Sequence, residues 1–171
     1  DDKLPGRDDG NTVINYAAVV SNAEIIGMIL DAGCNIDSTN NNGETPLSTA
    51  VRRGDVEIAK LLISRGADVN KADNNEATPL NIVAGFRFPS GNILPYRFTS
   101  SDNHYASVEM LDLLLDAKAD VDKADKNGNA PLHYAVRLDE ELAVPIAERL
   151  LACGADVNAR NNAGRTPLAT L

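Results

Sequence analysis

Few side chains in this sequence suit acid–base, nucleophilic or metal chemistry. There are two histidines, His104 and His133, and two cysteines, Cys34 and Cys153. His104 stands in Asp102-Asn103-His104-Tyr105. That pair offers two weak ligands, short of the three or four protein ligands that hold a zinc ion. A catalytic thiol needs a base beside it, and the chain has only these two imidazoles to supply one. The sequence contains no His-Glu-x-x-His, no Gly-x-Ser-x-Gly and no phosphate loop. Gly85 and Gly91 are too isolated to cradle a phosphate. The expectation is a non-enzyme, with no cofactor and no metal.

Composition narrows the remaining classes. The chain has 171 residues, 43% hydrophobic and 24% charged, which is ordinary for a folded domain. Lys and Arg number 16 against 25 Asp and Glu, a net charge of −9. Such a chain repels phosphate backbones, so nucleic-acid binding is not expected. No run approaches 18 apolar residues, so no membrane contact is expected either. Two cysteines cannot build a disulfide framework. There is no Met at position 1 and no charged-then-apolar leader, so no signal peptide is expected. A reducing compartment follows, cytoplasm or nucleus.

Internal repeats decide the fold class. Thr45-Pro46-Leu47-Ser48-Thr49-Ala50 recurs 33 residues later as Thr78-Pro79-Leu80-Asn81-Ile82-Val83. It recurs again as Ala130-Pro131-Leu132-His133-Tyr134-Ala135, in part as Thr166-Pro167-Leu168-Ala169, and in degenerate form from Thr12 to Ala17. A second probe keeps the same phase: Leu61-Leu62-Ile63-Ser64-Arg65-Gly66-Ala67-Asp68-Val69-Asn70 has counterparts at 28–37, 113–122 and 150–158. These residues resemble the ankyrin repeat in period and in motif. The resemblance covers roughly residues 7 to 171. It implies an all-α solenoid of stacked helix-turn-helix units joined by β-turn loops. The units fall at about 7–39, 40–72, 73–124 with an insertion at 86–106, 125–160, and a partial unit at 161–171.

One unit reads physically without the family. Thr45 caps a first helix and Pro46 fills its first position. Gly54 ends that helix. Val56 to Arg65 forms a second, with Ile58, Leu61 and Leu62 on one apolar face. Gly66 fits a left-handed C-terminal cap. Two such short helices bury their apolar faces only by stacking on neighbours.

Four departures stand out. Lys118 replaces the glycine found at 33, 66 and 154, so a left-handed Lys118 is strained by about 1–2 kcal/mol. Ala130 replaces the capping Thr, a loss of roughly 1 kcal/mol. Three extra residues near Asp139-Glu140-Glu141 precede Pro145, which is expected to restart the second helix. The fifth unit stops at Leu171, inside its first helix, so a further segment is expected beyond it. Cys34 and Cys153 fall in the first and fourth units, too far apart for a disulfide.

The third unit carries 19 extra residues. Five of the seven aromatics lie there: Phe86, Phe88, Tyr96, Phe98 and Tyr105. The stretch from Phe86 to Phe98 is nearly palindromic about Asn92. Folded as a ribbon, it sets aromatics on one face, and Arg87 and Arg97 on the other. Three outcomes stay open: the aromatics pack back on the array, they bind a partner, or the loop is flexible.

The resemblance implies protein recognition through turn tips and the concave face of the first helices. On this sequence the tips include Asn74, Asn75, Lys126, Asn127, Arg160 and Arg165. The ends of the first helices add Arg52, Arg53, Phe86 and Arg137. Arg52, Arg53 and Arg137 share one column, with Arg160 and Arg165 near it, so a stripe of arginines crosses an acidic chain. It favours an acidic segment of another protein; the alternative is a solvated face with local salt bridges. His133 is implied to hydrogen-bond structurally. The expected function is non-catalytic protein–protein binding by a monomer. The competing expectation is a recruitment module of a larger enzyme, or a microbial effector acting in the host cytosol.

Overall fold

The computed structural model describes residues 10–85 and 104–171, with side chains in the second stretch from residue 107. Four helix pairs follow in chain order. They are α1 (Val13–Val19) with α2 (Ala23–Asp31), α3 (Pro46–Arg53) with α4 (Val56–Ser64), α5 (Pro79–Val83) with α6 (His104–Asp116), and α7 (Pro131–Ala135) with α8 (Glu140–Ala152). A short 3-10 turn lies at Leu168–Thr170. First helices stack on first helices, α1 on α3 on α5 on α7, and second helices stack likewise. The all-α solenoid expected from the repeats is what forms.

The repeat residues explain the stacking. Leu47, Leu80 and Leu132 follow the helix-starting prolines and are buried. Ile26, Ile58, Leu62, Leu111, Leu114, Ile146 and Leu150 line the second helices and join the same core. Each such side chain contributes about 1.5–3 kcal/mol by leaving water.

The helix starts behave as their residues require. The hydroxyls of Thr12, Thr45 and Thr78 accept from the backbone N–H three residues on. Ala130 has no side chain to do this. Gly54 ends α3 in the left-handed region, at φ +68°. Lys118 has φ +66°, while Gly33, Gly66 and Gly154 have +87°, +90° and +94°. The strained lysine read from the sequence is present.

Two expectations need correcting. Pro145 does not restart the second helix of the fourth unit; it lies inside α8, which begins at Glu140. Glu140 and Glu141 occupy the positive end of the helix dipole and buried Leu142 anchors that first turn, so the helix runs N-terminal of the proline. In the third unit α6 starts at His104. The last three residues assigned to the insertion therefore belong to a helix.

Candidate functional site: turn tips and first-helix face

Each tip is a tight turn built on one Asn or Asp. Asn40 Oδ1 accepts from the N–H of Asn42 (2.9 Å) and Glu44 (3.0 Å). Asp73 Oδ1 accepts from Asn75 (2.7 Å) and Ala77 (3.0 Å). Asp125 Oδ1 accepts from Asn127 (3.0 Å) and Asn129 (2.9 Å). Asn161 Oδ1 accepts from Ala163 and Arg165, both at 3.0 Å. One acceptor thus holds two amides of its own turn, the local geometry for which Asx side chains suit turns. The signal was in the sequence: an Asn or Asp stands five residues before Thr45, Thr78, Ala130 and Thr166.

Three residues past each acceptor the backbone is left-handed. Gly43, Gly128 and Gly164 take φ +77°, +77° and +75°, and Glu76 takes +60° in the third unit. Glycine is required twice over at Gly43, where an added Cβ would meet the Asn74 backbone N at 2.6 Å.

Successive tips are bonded to one another. The N–H of Asn74 donates to Asn42 O (3.0 Å), that of Lys126 to Asn75 O (2.9 Å), and that of Asn162 to Asn127 O (3.0 Å). Side chains double the ladder. Asn74 Nδ2 donates to Asn41 O (2.8 Å) and Asn162 Nδ2 to Lys126 O (3.0 Å). Lys126 stands in this series and reaches Asn75 Oδ1 through Nζ. The four tips form one row.

In three of the four units the fourth residue of the motif joins a first helix to the next tip. His133 Nδ1 accepts from Ala130 N–H (3.2 Å), and Nε2 faces Arg165 O at 3.1 Å. The N–H only donates and the carbonyl only accepts, so these two bonds fit the tautomer that carries its proton on Nε2. Asn15 Nδ2 reaches Glu44 O (3.2 Å), and Asn81 Nδ2 reaches Asn129 O (3.4 Å). Ser48 is too short and bonds Thr45 O instead. The structural hydrogen bonding expected of His133 is found.

The arginine column is not uniform. Arg52 forms an ion pair with Glu44, their side chains 13% and 8% exposed. Glu44 Oε2 also accepts from Asn40 Nδ2 at 2.7 Å. Arg52 is thereby a strut between α3 and its own tip. Arg53 is half-buried, its Nε without a hydrogen-bond partner. The same column continues through Gly85, where an added Cβ would lie 2.9 Å from Leu138 Cδ2. Arg137 is exposed beyond α7. Arg160 and Arg165 are exposed on the last tip, where Arg160 Nη1 donates to Gly164 O at 2.8 Å. Asn74, Lys126 and Asn127 are exposed and Asn75 is half-buried.

Phe86, Arg87, Phe88, Tyr96, Arg97 and Phe98 lie outside the described residues, as do Asp102 and the proposed ribbon. Tyr105 lies in the first turn of α6. Among the described residues no group of three or more His, Cys, Asp or Glu is placed to hold a metal. Both cysteines are free thiols.

Buried Asp73 and half-buried Tyr134 shape the electrostatics of the row. Burial pushes the Asp73 carboxyl above its ordinary value; the amides of Ala77 and Asn75 pull the other way. Tyr134 Oη donates to Asp125 Oδ2 at 2.5 Å and accepts from Asn129 Nδ2 at 3.2 Å. Burial first, and the Asp125 bond second, hold its hydroxyl well above the usual tyrosine range. The tip row therefore presents fixed amides and carbonyls, with cations along it.

Comparison with known proteins agrees with this geometry. A family model described as ankyrin repeats in three copies matches residues 2–87 and 99–161. An ankyrin repeat protein of fowlpox virus (strain NVSL) is 39% identical over 71 residues, 39% of this chain and 10% of the viral protein. The chain thus spans a small part of that relative's length. On the match across most of its residues, the chain belongs to the ankyrin-repeat family.

Proposed function

We propose that this chain binds another protein through its turn tips and first-helix face, and performs no chemical step on it. Ankyrin repeats are generally protein–protein interaction modules. The observation that carries the reading here is the row of tips bonded edge to edge. Such a row is ordered before a partner arrives, so binding does not meet the entropy of arranging it. Asn74, Lys126, Asn127, Arg160 and Arg165 project from it, and Arg137 borders it. The partner contributes an acidic segment, which these cations would attract. The chain acts as a monomer in a reducing compartment, without cofactor, nucleic acid or membrane. Phe86, Arg87, Phe88, Tyr96, Arg97, Phe98 and Tyr105 supply a second contact.

The test is capture from the native cell extract with two baits, this chain and a version with residues 86–106 replaced by a short Gly-Asp turn. A partner held by both places recognition on the tips and groove. A partner lost with the shortened bait moves it to the insertion. A bait that retains no protein contradicts the function.

A second reading is favoured by the viral relative, of which this chain matches 10%. The array then recruits host proteins for a longer polypeptide. The full-length sequence decides between them.

A further inference from the structure

The net charge conceals two unlike sides. Tips and first helices, taken as residues 10–20, 39–54, 71–85, 123–138 and 159–171, carry eight Lys and Arg against four Asp and Glu. Second helices and the turns after them, residues 21–38, 55–70, 104–122 and 139–158, carry four against sixteen. Burial sharpens the contrast. Of the four acids on the tip side, Glu44, Asp73 and Asp125 are buried, and only Glu76 is exposed. On the other side Lys60, Arg65 and Arg149 are each paired with carboxylates, those of Glu57 and Glu109, of Asp31, and of Asp112. The fourth cation of that side, Lys118, is exposed and joins no ion pair among the described residues, so unneutralised positive charge lies mainly, though not wholly, on the tip side.

It is also concentrated at one end. In the first half of the row Arg52 is held by Glu44 and Arg53 is half-buried, which leaves Lys71 as the exposed cation there. At the far end Lys126, Arg137, Arg160 and Arg165 are all exposed. Asn162 ties its own tip to Lys126 through the Lys126 carbonyl, and Arg165 O meets His133 of α7, four residues before Arg137, which lies just past the helix end. The four side chains thus belong to two adjacent tips and the helix beside them. Asp125, beneath them, accepts from two amides at Oδ1 and from Tyr134 Oη and Asn127 Nδ2 at Oδ2. Asp139 is exposed nearby but is not ion-paired to Arg137.

We propose that an acidic peptide segment docks across Lys126, Arg137, Arg160 and Arg165, and not at Arg52 and Arg53. This rests on the recognition function above and adds where on the row the acidic segment lies. Exposed Arg137 and Arg165 keep their planar donor forks for carboxylates, while Arg160 gives Nη1 to Gly164 O and keeps its other donors; a local surplus of one sign raises the association rate.

The test uses the full chain, labelled with nitrogen-15, and a twelve-residue peptide of alternating Glu and Gly. A peptide of alternating Gln and Gly is the control. At low salt the acidic peptide is expected to shift amides of 126–129, 135–138 and 160–165, and the control is not. Raising salt to about 300 mM should weaken binding roughly tenfold, since exposed charges are then screened. The combined variant Lys126→Gln, Arg137→Gln, Arg160→Gln, Arg165→Gln should lose binding, and Arg53→Gln should not. A thermal melt checks that each variant is folded. Because Arg160 also bonds its own turn, Arg137→Gln with Arg165→Gln is run separately and should weaken binding on its own. If the acidic peptide binds but shifts the end of α3, or survives both variants, the location is wrong and the recognition function stands. If acidic and neutral peptides behave alike, both the location and the acidic partner are overturned.

Discussion

Arg52 turns its guanidinium onto Glu44, a carboxylate that is itself buried at the base of the tip of the same unit. Sequence position alone put Arg52 in a binding column, yet its charge is neutralised inside the fold. Removing the arginine would leave Glu44 buried without its counter-charge. Arg52→Ala is expected to destabilise by about 3 kcal/mol, since breaking a buried pair on one side costs about 3–5 kcal/mol. Urea denaturation measures it. A change under about 0.5 kcal/mol would return Arg52 to the surface.

Glu76 and Lys118 occupy positions that are glycine in the other units, at φ +60° and +66°. Glycine relieves about 1–2 kcal/mol of strain and loses about 0.4–1 kcal/mol through the freer unfolded chain. Strain wins, so Glu76→Gly and Lys118→Gly should each stabilise by about 1 kcal/mol. Gly66→Lys is the reciprocal control, because open space surrounds a Cβ added there; it should destabilise by a similar amount. An unchanged or lower melting temperature for Lys118→Gly would contradict the strained conformation.

Asp73 gives stability a pH dependence. Its folded pKa is raised above the ordinary 3.8, chiefly by burial. The folded state therefore holds the proton more tightly than the unfolded state. The destabilising contribution of the ionised group is full above the folded pKa. It fades as pH falls through that value toward the unfolded one. Asn40 and Asn161 make the same two turn bonds without a charge. Asp73→Asn should thus stabilise at neutral pH, and the gain should shrink on acidification. A gain that grows on acidification would reverse the sign argued here.

His133 and the asparagines at its equivalent positions are interchangeable in role. His133→Asn should cost little, because Asn15 and Asn81 reach the next tip from the same place. His133→Ala leaves the Ala130 N–H and the Arg165 carbonyl without this partner and should cost about 1–3 kcal/mol. Equal losses in the two variants would remove the cross-tip bond from the account.

Much of this was legible in the chain. The 33-residue recurrence of Thr-Pro-Leu located the first helices, and Lys118 against three glycines announced its own strain. The Asx residues at the base of each tip were equally periodic, but Asn40, Asp73, Asp125 and Asn161 read as ordinary turn composition until their acceptor role was seen. What periodicity could not give was pairing across elements. That Glu44 neutralises Arg52, while Arg137 stays exposed, depends on side-chain reach between α3 and its tip. Pro145 misled because a proline resembles a helix start, whereas the charges of Glu140 and Glu141 and the burial of Leu142 begin α8 a turn earlier.

The central claim is recognition on the tip side. Amide hydrogen exchange of the full chain, with and without a captured and purified partner, tests it most directly. Slowed exchange at tip residues 41–43, 74–76, 126–128 and 162–164 is the predicted result. Slowed exchange confined to the second helices, α2, α4, α6 and α8, would place the partner on the opposite side and contradict the account.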